Sequence, residues 1–153
     1  MEILIIVAGI LVDRLTKFWA VTKLKKVQEI VVIKNFFDLN YVQNRGAAWG
    51  IFGGKTVILS IITALILIGI IGYVIKYRPK NMFLRAALSL IIAGAIGNLF
   101  DRIYYKYVVD LFSVHYKDIY YYPVFNVADI CVVIGTIILA VYIIRDDKKH
   151  GKV

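Results

Sequence analysis

The chain has 153 residues, 61% of them hydrophobic, with a mean hydropathy of +0.77. An ordinary globular chain is about half apolar, so the composition argues against a soluble domain and for a membrane protein. A formal net charge of +9 would suggest nucleic acid as the partner of a soluble protein, but here the lysines and arginines flank apolar runs. That pattern points to membrane phospholipids and to no nucleic acid.

A bilayer core about 30 Å thick needs roughly 20 mainly apolar residues as helix. Four windows meet that need. The first is about 2–21. It lacks the positive start of a signal peptide and carries Asp13 and Arg14 after a short apolar run, so it is read as a retained spanning helix. Asp13 and Lys17 stand four apart, where they can pair on one helical face. Residues 27–52 are different. EIVVI and FFDLNYVQN are rich in β-branched and aromatic residues, which predicts two or three short strands on the outer membrane surface. Asn44-Arg45-Gly46 and Gly53-Gly54 read as turns.

The second window, 56–76, contains VILSIITALILIGIIGYVI without a charge. The short loop after it carries Arg78, Lys80 and Arg85, with Lys76 just before, and the C-terminal tail is also basic. The positive-inside rule places that loop and both termini in the cytoplasm, against the weaker counter-signal of Lys23, Lys25 and Lys26. The third window, 82–100, ends at Asp101 and Arg102, and Asn98 lies on the same face. Asp101 is expected to find its cation in the adjacent Arg102. The segment 104–122 holds seven of the eleven tyrosines, which marks an interfacial outer loop. His115 within it reads as a surface histidine. The fourth window is about 124–144, and Cys131 there has the apolar neighbours of a buried thiol.

Four carboxylates lie in or at the mouth of a window: Asp13, Asp101, Asp110 and Asp129. Each costs about 2.5–3.5 kcal/mol at membrane depth on insertion scales. A scaffold role, locking helices together, is as good a reading as a catalytic one for any of them alone. Asp13 and Asp101 have cations near in sequence and look like scaffold. Asp110 and Asp129 have no basic residue within three positions. Two desolvated carboxylates held close share one proton, and an acid–base pair of that kind can hydrolyse a peptide bond. Asn126, one turn before Asp129, and Asn44 read singly as a cap and a turn residue. One Cys and two His make no ordinary zinc site, so no metal and no cofactor are expected.

The ordered motifs resemble the lipoprotein signal peptidases, the signal peptidase II family. They are Asp13-Arg14-Leu15-Thr16-Lys17, Asn44-Arg45-Gly46-Ala47-Ala48, the run from Gly94 to Arg102, Val108-Val109-Asp110 and Phe125-Asn126-Val127-Ala128-Asp129. Ala93 stands where many members have glycine, and Trp49 where phenylalanine is common. The resemblance implies an all-α membrane protein in a single domain over 1–153. It would have four transmembrane helices, a small extracytoplasmic β-sheet cradle and an outer loop. It implies an aspartic endopeptidase of the bacterial cytoplasmic membrane, monomeric, with its active site near the outer face. The substrate would be a lipid-modified prolipoprotein, cut before the lipidated cysteine. Asp110 and Asp129 would be the catalytic dyad. Asp13, Lys17, Asn44, Gly46, Asn98, Asp101, Arg102 and Asn126 would support them or bind substrate. Composition alone also admits a proton-coupled transporter, whose acids should sit near the midplane, and a non-enzymatic assembly subunit.

Overall fold

The computed structural model describes residues 1–46, 54–117 and 119–149. Five helices and four strands follow in the order α1 (Glu2–Trp19), a π-helical turn (Ala20–Leu24), α2 (Lys25–Val27), β1 (Glu29–Ile33), β2 (Phe37–Asn44), α3 (Thr56–Tyr77), α4 (Met82–Tyr104), β3 (Val108–Tyr116), β4 (Tyr120–Tyr121) and α5 (Val127–Lys149). The first window thus runs on as helical structure to Val27, and the fourth begins at Val127 because Asn126 starts the helix. Ala47, Ala48, Trp49 and Gly53 lie outside the described residues.

Among the described residues three helices are long and apolar enough to cross a membrane: Thr56–Tyr77, Met82–Tyr104 and Val127–Asp146. Their surroundings differ. Of the apolar window in α4, 56% is buried inside the protein, against 6% in α3 and 17% in α5, so α4 is the central post. α3 exposes Ile58, Ile61, Leu65, Ile68 and Ile75, and α5 exposes Val133, Ile137 and Val141. Apolar helices with apolar surface turned outward suit lipid, not water. α1 carries Glu2, Asp13, Arg14 and Lys17, which keeps it off the apolar roster. Yet Asp13 and Lys17 are buried, while Ile3, Leu4, Val7, Leu11, Leu15 and Phe18 are exposed. Its polar groups point inward and its apolar ones outward.

α4 and α5 approach closely at Gly94 and Gly97 of α4 and at Gly135 of α5, where a Cβ would stand 2.8 Å from the Ala87 carbonyl oxygen. A Cβ on Gly94 would stand 2.2 Å from the Ala128 carbonyl oxygen, and one on Gly97 would stand 2.7 Å from Asp13 Oδ2. Small residues let helix backbones close in a bilayer, and here they bring the start of α5 against the end of α4. Ala93 fills similar space on another side, where a Cβ on Gly9 would come within 2.9 Å of it.

The segment expected as an outer loop is instead half of the sheet. The strands pair antiparallel in the order β1-β2-β3-β4. Val109 and Leu111 of β3 pack on Ala20 and Leu24 of the π-helical turn, which fastens the sheet to the end of the first helix. Val108, Val109, Phe112, Val114 and Tyr116, β-branched and aromatic, explain β3. His115 is buried, not on the surface. Its Nε2 lies 2.7 Å from Asp38 Oδ2 across the β2–β3 pair, and its ring stacks on Tyr121 at 4.9 Å.

Candidate active site

Backbone pairing delivers Asp110. In the β2–β3 register Val42 faces Asp110 and Asn44 faces Val108, so Asn44 and Asp110 are diagonal neighbours on one face of the sheet. Asn44 Nδ2 donates to Asp110 Oδ2 at 3.0 Å, and its Oδ1 accepts from Gly46 N–H at 2.9 Å. The predicted turn at Asn44 is therefore real, and it aims the amide. Phe125 then bridges to Phe112, with paired bonds of 2.8 and 3.0 Å. That bridge sets the next residue, Asn126, beside Asp110.

Asn126 opens α5 with a reciprocal cap. Its Oδ1 accepts from Asp129 N–H at 2.9 Å, while its own N–H donates to Asp129 Oδ2 at 3.0 Å. This is a capping box, the pattern in which an N-terminal side chain and an acid three residues on satisfy each other's backbone donors. The cap uses the oxygen of Asn126 and leaves its amide free. Nδ2 donates to Asp110 Oδ1 at 2.6 Å and to Asn98 Oδ1 at 3.1 Å. Cap and site contact are thus combined in one side chain, and both carboxylates meet on it.

Asn98 relays the same network to the first helix. Its Nδ2 donates to Asp129 Oδ1 at 2.7 Å, and its Oδ1 accepts from Lys17 Nζ at 3.0 Å. Lys17 also sits 3.1 Å from Asp13 Oδ1, as spacing predicts, and 2.9 Å from Asp101 Oδ2. Asp101 departs from expectation: its cations are Lys17 and Arg14, the latter at 2.6 Å, and not Arg102. Arg14 bridges further, to Asp13 Oδ2 at 2.6 Å and the Gly97 carbonyl at 3.0 Å. Asp13 Oδ1 accepts from Ala128 N–H at 3.0 Å, and Asp101 Oδ2 from Val109 N–H at 3.2 Å. These two acids anchor the first turn of α5 and the strand that carries Asp110. Arg14 is the site residue that sequence reasoning missed. Its signal was its place beside Asp13 in an otherwise apolar helix.

Arg102 plays another part. Its Nε is buried without a hydrogen-bond partner among the described residues, and the charges of Asp129, Asp110 and Asp101 all act on it. Neither candidate aspartate lacks a cation in space, then. Lys17 and Arg102 act on the pair from beyond hydrogen-bond contact. Burial first, and the Asp129 charge second, push the Asp110 carboxyl up to about 7, against the lowering pull of Asn44, Asn126 and Lys17. Asp110 is 2% exposed and Asp129 is half-buried, so the pair has an inner and an outer member. Cys131 is buried and joins none of these hydrogen bonds. Among the described residues no three His, Cys, Asp or Glu gather as a metal-binding group.

The family model described as signal peptidase (SPase) II matches residues 5–145. The chain belongs to the signal peptidase II family. A lipoprotein signal peptidase of Clostridium acetobutylicum is 71% identical over the full length of both chains. One from Clostridium novyi is 59% identical over 97% of this chain and 100% of that one, and one from Staphylococcus aureus is 38% identical over 99% and 94%. A bacterial membrane enzyme solved by the in meso method at 2.3 Å resolution superposes with a TM-score of 0.88, at 36% identity, over 97% of this chain and 90% of that one. A second such enzyme, at 1.9 Å, gives 0.83 at 37% identity. The chain is thus a protease of bacterial membranes, mostly helical, with a small antiparallel sheet.

Proposed function

We propose that Asp110 and Asp129 are the catalytic dyad, and that the chain is an aspartic endopeptidase cutting diacylglyceryl-modified prolipoproteins just before the lipidated cysteine. The observation that carries this is Asn126, whose side-chain amide holds Asp110 while its backbone N–H holds Asp129. Roles follow from surroundings. Asp129 accepts from Asn98 and from Asn126 N–H in the first turn of α5, where the helix dipole favours a negative charge. It takes a proton from water, and the water oxygen attacks the scissile carbonyl carbon. Asp110, with its raised pKa, supplies a proton to the carbonyl oxygen. Collapse of the resulting diol returns the proton on Asp129 to the leaving amine, and Asp110 recovers its own from the hydroxyl that becomes the new carboxyl group. Arg102, with an unused buried donor, is placed to orient the substrate backbone, and Asn44 with Gly46 to hold the outer side of the site.

The chain is read as a single membrane domain of four spans, with α1 as the fourth. Its outward Ile, Leu, Val and Phe against an inward Asp–Lys pair support that. Glu2 pairs with Arg85, and Asn81 and Phe83 share a cavity with Arg145 and Asp146, so both ends of the chain meet the α3–α4 connection at one end of the bundle. The basic residues there put that end in the cytoplasm. The sheet and dyad then lie at the outer face, where the peptide bond is within reach of water. Asp110→Asn and Asp129→Asn should each fold and abolish cleavage of a lipidated precursor in proteoliposomes, and full activity in either would refute the dyad. A thiol probe impermeant to the membrane should label a cysteine placed at Lys34 but not one at Lys80 in intact cells; the reverse pattern would invert the topology.

A further inference from the structure

A cavity lies at the end of the bundle opposite the dyad, beside the α3–α4 connection. Its volume is about 460 Å³, and it opens between α1, α4 and the end of α3. Arg85 and the active-site Asn98 are thirteen residues apart on α4, which is about 20 Å of helix. Among its lining residues Arg78 and Lys80 are exposed, Arg85 and Val74 half-buried, and Leu88 and Ile92 buried. Along α4 the lining passes from Arg85 to Leu88, Ser89 and Ile92, with the Ser89 hydroxyl satisfied by the Arg85 carbonyl. The one carboxylate in the lining, Glu2, is engaged by Arg85. Arg78 and Lys80 form no ion pair among the described residues. Arg78 also ends α3 in the left-handed region, at φ 43°, where glycine is the residue without strain.

We propose that this cavity binds the headgroup of an anionic glycerophospholipid, its phosphate on Arg78 and Lys80 and the start of its acyl chains along Leu88 and Ile92. A soluble anion would match the cations but leave the apolar wall wet. A zwitterionic lipid would match the wall but bring a cation beside Arg78 and Lys80, since the Arg85 charge is already met by Glu2. Basic pockets between spanning helices are suited to anionic headgroups, and the volume lies in the usual range for ligand sites of about 300–1,000 Å³. The inference does not depend on the identity of the catalytic residues.

The test uses the full chain purified in detergent and native mass spectrometry, titrating phosphatidylglycerol and phosphatidylcholine with matched acyl chains. Phosphatidylglycerol should be retained in preference to phosphatidylcholine. Arg78→Gly with Lys80→Gln should weaken that retention by about 30-fold, the effect expected of two basic residues near an anionic headgroup. Glycine suits the left-handed backbone, so the double variant keeps the fold, which unchanged cleavage of a lipidated precursor would verify. Lys23→Gln with Lys26→Gln, in the π-helical turn and α2 beyond the C-terminal end of α1, should leave retention intact. Equal retention of both lipids, no loss in the first double variant, or an equal loss in the second would overturn the proposal. So would displacement of the lipid by glycerol phosphate at equal concentration, since the apolar wall would then contribute nothing.

Discussion

Replacing Asp110 by Asn should make the protein less sensitive to alkali while it stops catalysis. The carboxyl stands at about 7 in the fold and at 3.8 in its ordinary state. Below pH 3.8 both folded and unfolded chains carry the proton. Between 3.8 and about 7 only the folded chain holds it, so stability falls as pH rises, and above 7 the loss is complete. At about 1.4 kcal/mol per pKa unit the whole loss is about 4 kcal/mol, and about 2 kcal/mol of it falls between pH 5 and 7. The Asn variant has no such proton. It does lose something constant, because its amide meets the donors Asn44 Nδ2 and Asn126 Nδ2, which costs about 1–3 kcal/mol at every pH. The diagnostic is therefore the slope and not the offset. Thermal unfolding in detergent, followed by tryptophan fluorescence, should show the wild-type midpoint dropping relative to the variant by roughly 5–10 °C between pH 5 and 7. Parallel pH profiles would refute the raised pKa, and with it the reason for giving Asp110 the acid's part.

Wild-type cleavage should decline about tenfold per pH unit above 7, as Asp110 loses the proton it donates; a flat rate up to pH 9 would contradict this. Asn126→Ala should lose cleavage by at least about 100-fold and stability by about 1–2 kcal/mol, whereas Asn126→Ser keeps a capping oxygen and should recover stability without activity. Recovery of both by serine would show that only the cap matters. Gly97→Ala should destabilise by about 1–3 kcal/mol, since its methyl would press on Asp13, while Gly69→Ala, with nothing within 4 Å, should not. Equal unfolding midpoints for the two would disprove that packing. Lys17→Met strips a buried cation from Asp13 and Asp101 and should cost about 3–5 kcal/mol in the same unfolding assay.

Sequence spacing carried the local relations and little else. Asp13 and Lys17 pair because four residues is about one helical turn, and Asn126 reaches Asp129 for the same reason. Asp101 shows the limit. Its neighbour Arg102 makes no ion-pair contact with it, and its partners Arg14 and Lys17 come from a helix more than eighty positions earlier, which no local pattern encodes. Asp110 and Asp129 looked free of cations because Lys17 and Arg102 act on them through space. Helical windows were legible from apolar length, yet the strand Val108–Tyr116 was hidden by the tyrosines that flank it, which serve a membrane interface as well as a sheet. His115 was misread because nothing near it in sequence announces Asp38. The family motifs lie far apart in sequence, and the structure gathers Asp13, Lys17, Asn44, Asn98, Asp110, Asn126 and Asp129 into one hydrogen-bonded network.

The capping box has a practical consequence for anything designed to occupy the site. The amide protons of Ala128 and Asp129 are held by Asp13 and by Asn126, so their protection from hydrogen exchange reports the state of the pocket. A compound that pulls Asn126 away from Asp110 also loosens the first turn of α5, and the exchange rate of the Asp129 amide should rise with occupancy. One that leaves Asn126 in place should slow it. An inhibitor's mode of engagement could thus be sorted by fraying at a single helix end, without a structure of the complex.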